Sequence, residues 1–153
     1  VMMAPVDRIM GSEVGFNMDT WAGYEVNRNK VINFLAEHNI PNAVVLTGDI
    51  HSNWVNELKL DYNDINSKVV ATEFICTSLT SGGNGSAGVQ KSKNIMAENE
   101  FVKFFNAERG YVYVEVDKEQ WRVDFKVVQD VTTHKSGVIT RKSIILSSNN
   151  KQN

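Results

Sequence analysis

Residues 43–54 have the sequence Ala-Val-Val-Leu-Thr-Gly-Asp-Ile-His-Ser-Asn-Trp, and this stretch decides the fold that we predict. Its apolar start, residues 43–46, follows Pro-Asn and is typical of a buried strand. Gly48 lets the chain leave that strand through a sharp turn. Asp49 and His51 come directly after the turn, where a carboxylate and an imidazole could coordinate one or two cations. The alternative is that Asp49 caps the turn and that His51 is an ordinary polar residue.

The hydrophobic pattern of the whole chain predicts a mixed α/β fold, in which a mixed sheet is flanked by helices. Residues 54–61 fit either a helical turn or a strand, and residues 61–67 and 106–110 have the composition of turns. Strands are predicted at residues 1–5, 43–48, 69–76, 111–117, 121–128 and 143–148, and helices at about residues 23–38 and 95–105.

Two of these elements should each bury one row of side chains. The first helix is predicted to bury a stripe made of Tyr24, Val31, Phe34 and Leu35. The strands at residues 111–117 and 121–128 should form an antiparallel hairpin with one dry face. In the second of these strands, that face holds Trp121, Val123, Phe125 and Val127.

The composition is that of a single globular domain. The chain has 153 residues, of which 42% are hydrophobic and 22% are charged, and this is enough to bury a core without a disulfide. The net charge of −2 and the absence of a basic cluster argue against specific nucleic-acid recognition. The single cysteine, Cys76, excludes an internal disulfide, and no apolar stretch is long enough to span a bilayer. We expect residues 1–148 to belong to one domain and residues 149–153 to form a disordered tail.

Other residues are further candidates for a site. Asp19 either caps the start of the first helix or, with Trp21, lines a metal cleft. Arg28 is either a solvated surface charge or a phosphate contact through its planar guanidinium group. The pair Gly82-Gly83 lies in a segment rich in serine, threonine and glycine, which is either a flexible loop or a concavity for an anion. Glu73 stands among apolar neighbours and therefore needs a hydrogen-bonding partner or a shifted pKa.

The segment Gly48–Trp54 resembles the last metal motif of the PhoD-like alkaline phosphatases, which belong to the calcineurin-like metallophosphoesterase superfamily. Three more blocks match that family in the right order, and the resemblance covers nearly the whole chain, from residue 1 to about residue 145. These blocks are Asp19-Thr20-Trp21-Ala22-Gly23-Tyr24 with Arg28, residues 71–83, and Asn106-Ala107-Glu108-Arg109-Gly110-Tyr111. In that family the domain begins far upstream, with acidic, Gly-Asp and Gly-Asn motifs that do not occur in this sequence. We therefore expect this chain to be the C-terminal part of a PhoD-like phosphatase.

The resemblance implies a phosphoester hydrolase with two metal ions. His51 would bind one ion, which the resemblance implies is ferric, and Asp49 would face the other, a calcium ion. Asn53 and Trp54 would support these ligands or form the wall of the pocket. Because two ligands cannot hold a catalytic site, the chain is expected to be inactive alone and to need the missing N-terminal half of the domain. The alternative is a non-catalytic domain that binds an anion or a partner.

The resemblance also has implications for the fold, the substrate and the location of the protein. The fold would be one half of the calcineurin-like αββα sandwich, and the substrate would be a phosphomonoester or a phosphodiester. Members of the family are commonly exported through the twin-arginine route, so an extracytoplasmic location is expected. If the chain held only one of two packed sheets, several apolar residues of its inner face would be open to water, among them Val44, Leu46, Val70, Phe74, Tyr113 and Phe125. The chain would then pair with the missing half or with itself.

Overall fold

The computed structural model describes residues 1–7, 9 and 11–148, and these residues form two sheets and two α-helices. A 3₁₀ turn, Trp21–Tyr24, leads into helix α1, Glu25–Glu37, and helix α2 spans Val89–Glu98. The strands are β1 (Val44–Thr47), β2 (Asn53–Lys59), β3 (Val69–Ile75), β4 (Gly85–Ser86), β5 (Val102–Glu108), β6 (Gly110–Val116), β7 (Gln120–Val128) and β8 (Val138–Ser147). Neither described helix has the length and apolar content needed to cross a membrane. The tail predicted at residues 149–153 lies outside the described residues.

The larger sheet is mixed, as the sequence predicts. Its strand order is β1-β3-β2-β5-β4, in which β1 runs parallel to β3 and the other pairs are antiparallel. Of residues 54–61, which fitted either a helical turn or a strand, residues 54–59 belong to the central strand β2. The carboxyl ends of β1 and β3 meet at one edge of the sheet, because the two strands are parallel. The loop that carries Asp49 and His51 leaves β1 at this edge and enters β2.

Strand β1 lies at the outer side of the larger sheet in the described part of the chain, and not in its centre. It is half-buried, and the Leu46 side chain is 56% exposed. The prediction at residues 43–48 is therefore right about the strand and wrong about its burial. An apolar, β-branched run indicates a strand, but it does not say how many neighbours that strand has.

Each face of the larger sheet is covered by a separate core. Helices α1 and α2 and the first residues of the chain pack on one face, around Ile32, Trp54, Leu58 and Phe105. The second sheet, of order β6-β7-β8, packs on the other face, where Val55 and Phe74 meet Val123 and Phe125. The expectation of a single sheet with an open inner face is therefore wrong, because this chain contributes strands to both sheets. Of the residues expected to be open to water, Val70, Phe74 and Phe125 are buried, Val44 is half-buried, and Leu46 and Tyr113 are exposed.

The predicted hairpin is confirmed as β6 and β7. Val123, Phe125 and Val127 are fully buried on one face of β7, and Trp121 packs against the same core. The Asp117 carboxylate accepts hydrogen bonds from the backbone amides of the next turn, which fixes the connection between the strands. The last strand is longer than the predicted residues 143–148, since β8 begins at Val138.

The segment at residues 1–5 is not a strand. Met2, Met3 and Ala4 are buried, but their backbone follows an irregular path beneath α1 and the sheet. The backbone amides of Met3 and Ala4 donate to the carboxylate of Glu73, at 2.6 Å and 3.1 Å. A buried side chain thus satisfies the amides that a neighbouring strand would otherwise bond.

The helix predicted at residues 95–105 is also wrong. Helix α2 ends at Glu98, and the apolar residues that follow belong to strand β5. Asn99 ends the helix, because its side-chain amide donates to the carbonyl of Ile95 at 2.9 Å. The same side chain exchanges two hydrogen bonds with the backbone of Asp7, which no local pattern of sequence indicates.

Helix α1 lies where the sequence predicts a helix, but a different stripe faces the core. Arg28 and Ile32 are its buried residues, and Leu35 packs against the same core. Tyr24, Val31 and Phe34, which were predicted to be buried, are 62%, 40% and 54% exposed. The prediction treated the arginine as an outward residue, and this moved the inner face by about one position along the helix.

Arg109 is the single residue between β5 of the larger sheet and β6 of the smaller one. The turn predicted at residues 106–110 is therefore a crossing between the two sheets. Gly110 is required there, because a side chain at this position would collide with the backbone carbonyl of Lys126 on β7. The crossing brings Arg109 to the same edge of the larger sheet as the Asp49–His51 loop, since it donates a hydrogen bond to the carbonyl of His51.

Candidate metal centre

The loop from Gly48 to Ser52 is the candidate metal centre. Asp49 and His51 both have left-handed backbone conformations, with φ of 77° and 53°. Such conformations are unfavourable for residues other than glycine, and they cluster at functional sites. Both side chains are exposed, so the loop presents a carboxylate and an imidazole to solvent at the edge of the sheet.

The two side chains fit metal ions as partial ligand sets. Neither one is held by a side-chain hydrogen bond or an ion pair to another described residue. A carboxylate suits calcium, and an imidazole suits a transition metal such as iron. The described residues contain no cluster of three or more histidine, cysteine or acidic side chains that could hold an ion. The loop can therefore supply two ligands, and further ligands would have to come from elsewhere.

Trp54 and Ser52 fix the shape of the loop through a chain of hydrogen bonds. Trp54 is buried, and its indole ring contacts Phe105 edge-on at a centroid distance of 4.5 Å. Its Nε1–H donates to the Ser52 hydroxyl at 2.7 Å, and that hydroxyl donates to the carbonyl of Ile50 at 3.3 Å. Trp54 thus supports the loop and does not line an open pocket.

Asn53 is buried, and its side chain links the loop to both neighbouring segments. Its oxygen accepts a hydrogen bond from the backbone amide of Thr77, at 3.1 Å, and its nitrogen donates to Asn106 at 3.4 Å. Asn106 in turn donates to Glu108 at 2.7 Å. Arg141 on β8 binds the same carboxylate through Nε and Nη2, both at 2.6 Å. Burial alone would raise the pKa of Glu108, but the hydrogen bonds from Arg141 and Asn106 outweigh it and lower that pKa.

Glu73 is a fully buried acid beneath the loop. Besides the two backbone amides of the first segment, it accepts hydrogen bonds from Asn56 Nδ2 at 2.9 Å and Thr47 Oγ1 at 3.3 Å. Burial raises the pKa of this carboxyl group, and the four hydrogen bonds oppose the shift. Glu73 was expected to need a hydrogen-bonding partner or a shifted pKa, and these hydrogen bonds supply the partners. Through Thr47, the last residue of β1, this carboxylate holds the start of the Asp49–His51 loop.

The residues singled out near the first helix lie apart from these contacts. Asp19 is exposed, and the 3₁₀ turn is capped by the next residue, Thr20, whose hydroxyl accepts from the Ala22 amide at 3.4 Å. The prediction that Asp19 caps the helix is therefore wrong. Trp21 is half-buried and packs against the same core as Ile50 of the metal loop. No hydrogen bond or ion pair between described residues joins Asp19 or Trp21 to Asp49 or His51.

Arg28 is not a solvated surface charge, since it is 5% exposed. Its guanidinium carbon lies 5.6 Å from the centre of the Tyr62 ring, and its Nη2 lies 3.5 Å from Glu25 Oε1. Together these residues line a cavity of about 320 Å³. Burial raises the pKa of the Tyr62 hydroxyl, which has no hydrogen-bonding partner among the described residues. Arg28 has no contact with Asp49 or His51 among the hydrogen bonds of the described residues.

Arg109 is a residue of the site that the sequence did not reveal. It is 8% exposed, and its Nη1 donates to the carbonyl of His51 at 2.7 Å. The sequence placed it in a turn, within the block that resembles the PhoD-like family. Its partners Gly83 and His51 lie 26 and 58 residues away along the chain, so no local pattern could have shown these contacts.

Comparison with known proteins identifies the family of the chain. A family model described as PhoD-like phosphatase matches residues 1–125. The chain belongs to the PhoD-like phosphatase family. Alkaline phosphatase D of Bacillus subtilis (strain 168) is 42% identical over 130 residues, which cover 85% of this chain and 22% of that protein.

The fold also has a solved counterpart. A structure described as "Structure of PhoD" superposes with a TM-score of 0.88 at 37% sequence identity. The match covers 97% of this chain and 28% of the solved chain. The mixed α/β fold is therefore confirmed, and this chain spans a minor part of the length of either relative.

Proposed function

We propose that this chain contributes the Asp49–His51 loop to the two-metal site of a phosphoester hydrolase. The observation that carries the proposal is the pair of left-handed residues, which expose a carboxylate and an imidazole at the carboxyl end of β1. Membership of the PhoD-like family supports the choice of reaction. The substrate would be a phosphomonoester or a phosphodiester.

In this proposal the two ligands serve different ions. His51 would hold a ferric ion through its imidazole, and Asp49 would hold calcium through its carboxylate. When bound, such a pair of ions would neutralise phosphate oxygens and make a water molecule easier to ionise. The chain's own residues orient the ligands: Trp54 and Ser52 shape the loop, and Asn53 joins it to the segment after β3. A catalytic site needs three or more protein ligands for each ion, so we propose that the chain alone is inactive.

The remaining ligands would come from the rest of a PhoD-like domain, which the longer relatives contain. We propose that the same partner covers the outer side of β1 and the exposed face of α1, where Leu46 and Phe34 are 56% and 54% exposed. Family resemblance further supports export from the cytoplasm as the cellular setting of the whole protein.

A chimaera tests the proposal. The segment of Alkaline phosphatase D that matches this chain is replaced by this chain, and hydrolysis of p-nitrophenyl phosphate and bis(p-nitrophenyl) phosphate is measured. We expect the chimaera to hydrolyse at least one of the two substrates and to contain iron and calcium. His51→Ala should abolish turnover and iron binding, and Asp49→Ala should reduce calcium binding.

His134→Ala is the matched control, because His134 is an exposed histidine in the loop between β7 and β8. It should leave metal content and turnover unchanged. Retention of iron and activity in the His51→Ala chimaera would remove His51 from the site and overturn the proposal.

A further inference from the structure

We propose that Arg109 is a positioning residue that fixes the backbone of His51 and thereby the direction of its imidazole. The catalytic meaning of this role rests on the proposed function, but the contact itself can be tested without it. Arg109 does not touch the metal ligands' side chains, and it acts through the peptide backbone of the loop.

The guanidinium group of Arg109 joins three segments of the chain. Nη1 donates to the carbonyls of His51 at 2.7 Å and Ala107 at 3.1 Å, and it lies 3.5 Å from the Thr77 hydroxyl. Nε donates to the carbonyl of Gly83 at 3.1 Å. One rigid, planar group therefore holds the Asp49–His51 loop, the end of β5 and the glycine-rich loop in one arrangement. Lysine has the charge but not this fixed fork of donors.

The partners of Arg109 are unusual for a buried arginine. All of them are neutral, and no carboxylate of the described residues lies within ion-pair distance of the group. By contrast, Arg122 pairs with Asp124 at 3.1 Å, and Arg141 pairs with Glu108 at 2.6 Å. Burying a charge without an opposite charge is costly. A neutral side chain could link the loops without this cost. The cost is explained if the arginine is needed to fix the strained backbone of a functional loop.

The glycine-rich loop is shaped to admit this group. Gly82 has φ of 81°, and a side chain there would come within 3.0 Å of Arg109 Nη2. A side chain at Gly85 would collide with the carbonyl of Ala107 and lie 3.2 Å from Nη1. The Gly83 carbonyl accepts the hydrogen bond from Arg109 Nε. The guanidinium group of Arg109 thus lies directly against the glycine-rich loop.

The consequence for His51 follows from its left-handed backbone. This conformation is a minor one for histidine, so it persists only where its surroundings enforce it. Arg109 is charged, and it donates a hydrogen bond to the backbone carbonyl of His51. Without Arg109, we expect residues 50–51 to sample other backbone conformations and the imidazole to point in several directions.

The first measurement uses the unaltered 153-residue chain without metal. Exchange of the side-chain Nε–H with solvent is followed by NMR for Arg109 and for Arg122, whose side chain is 44% exposed. We expect the Arg109 proton to exchange at least about tenfold more slowly, since opening it breaks a buried charged hydrogen bond. Equal exchange rates would overturn the proposal, and this result does not depend on any variant remaining folded.

The second measurement compares Arg109→Lys and Arg109→Gln with the control variants Arg122→Lys and Arg122→Gln. In the unaltered chain, the order parameters of the Ile50 and His51 amides should be about 0.85, and in both Arg109 variants they should fall below about 0.6. The imidazole resonances of His51 should shift, while those of His38 and His134 stay unchanged. A loop that remains rigid in folded Arg109 variants would overturn the proposal.

The chimaera separates this proposal from the proposed function. Arg109→Lys in the chimaera should lower turnover or metal affinity by about 10- to 100-fold, with a smaller change in KM, as is typical when a residue that orients a ligand is lost. If the loop loosens in the chain but the unaltered chimaera has no activity, the proposed function fails and the role of Arg109 stands. If the chimaera is active and Arg109→Lys leaves both loop order and turnover unchanged, the role of Arg109 fails alone.

Discussion

At the scale of single residues, the Asp49–His51 loop combines an unfavourable backbone conformation with side chains that suit metal ions. Asp49 and His51 occupy left-handed conformations that cost a residue with a side chain about 1–2 kcal/mol relative to glycine. Natural selection for stability alone would favour glycine at both positions. Their presence is explained if the side chains are needed.

We therefore predict that Asp49→Gly and His51→Gly stabilise the chain. Glycine removes the strain energy of the left-handed conformation, and this gain exceeds the entropy cost of glycine, about 0.5–1 kcal/mol. The free energy of unfolding should therefore rise by about 0.5–1 kcal/mol. Urea unfolding measures the change. Asp49→Ala and His51→Ala serve as controls, since alanine removes the functional group and keeps the strain. Glycine variants no more stable than the alanine variants would show that the loop is not strained.

Glu73 gives a prediction with a defined dependence on pH. In Glu73→Gln, a side-chain amide replaces the carboxyl group that accepts hydrogen bonds from backbone donors. This replacement should lower the free energy of unfolding by about 1–3 kcal/mol near pH 5. Because burial raises the pKa of Glu73, the native chain holds this proton more tightly than the unfolded chain does. The stability that Glu73 contributes should therefore decrease as the pH rises from its ordinary pKa through its raised pKa.

Urea unfolding of both proteins between about pH 4 and pH 8 tests this sign. The difference between the unaltered chain and Glu73→Gln should be largest at low pH and should shrink towards pH 8. Growth of the difference with pH would mean that the four hydrogen bonds dominate over burial.

At the scale of elements, the sequence predicts best the strands that have one dry face. Strand β6 alternates in sequence and in burial along most of its length, and the apolar residues of β7 face the same core, although Asp124 between them is buried as well. The boundary between α2 and β5 could not be predicted in this way. Phe101, Val102 and Phe105 have a spacing that suits a helix, and the helix ends earlier because Asn99 bonds the distant backbone of Asp7.

Asn99→Ala should accordingly destabilise the chain by about 1–3 kcal/mol, since it leaves the part-buried backbone amide and carbonyl of Asp7 without their side-chain partner. Gln90→Ala on the same helix is the control, because Gln90 is exposed, and its effect should stay within about 0.5 kcal/mol. Thermal unfolding followed by circular dichroism measures both. Equal effects of the two variants would show that the Asn99 contacts are not important for the end of α2.

At the scale of the whole molecule, the chain closes a core between its own two sheets but leaves apolar side chains exposed elsewhere. The loop with Asp49 and His51 could be predicted from a short motif, because its two proposed ligands are close in sequence. The supports of the loop could not be predicted, because Arg109, Asn53 and Glu73 work through partners that only the packed sheets bring together. The same limit applies to the division of strands between the two sheets.

We predict that the isolated chain self-associates at tens of micromolar when no partner is present. Val26, Phe34 and Leu46 are 72%, 54% and 56% exposed on α1 and β1, and covering apolar surface is favourable by about 25 cal/mol per Å². Light scattering measures the mass. Phe34→Lys and Leu46→Lys should shift the population towards monomer, whereas Val138→Lys on the smaller sheet should not. A monomeric unaltered chain would show that these side chains are tolerated in water.

The one-residue crossing between β5 and β6 has a consequence for how the chain comes apart. Because a single residue connects the two strands, neither sheet can separate without displacing a strand of the other sheet from its hydrogen-bonding register. The crossing contains no exposed linker, so a protease cannot cleave there and release the two sheets as separate stable fragments. The two sheets should therefore fold and unfold together as a single cooperative unit, although the smaller sheet holds none of the proposed ligands.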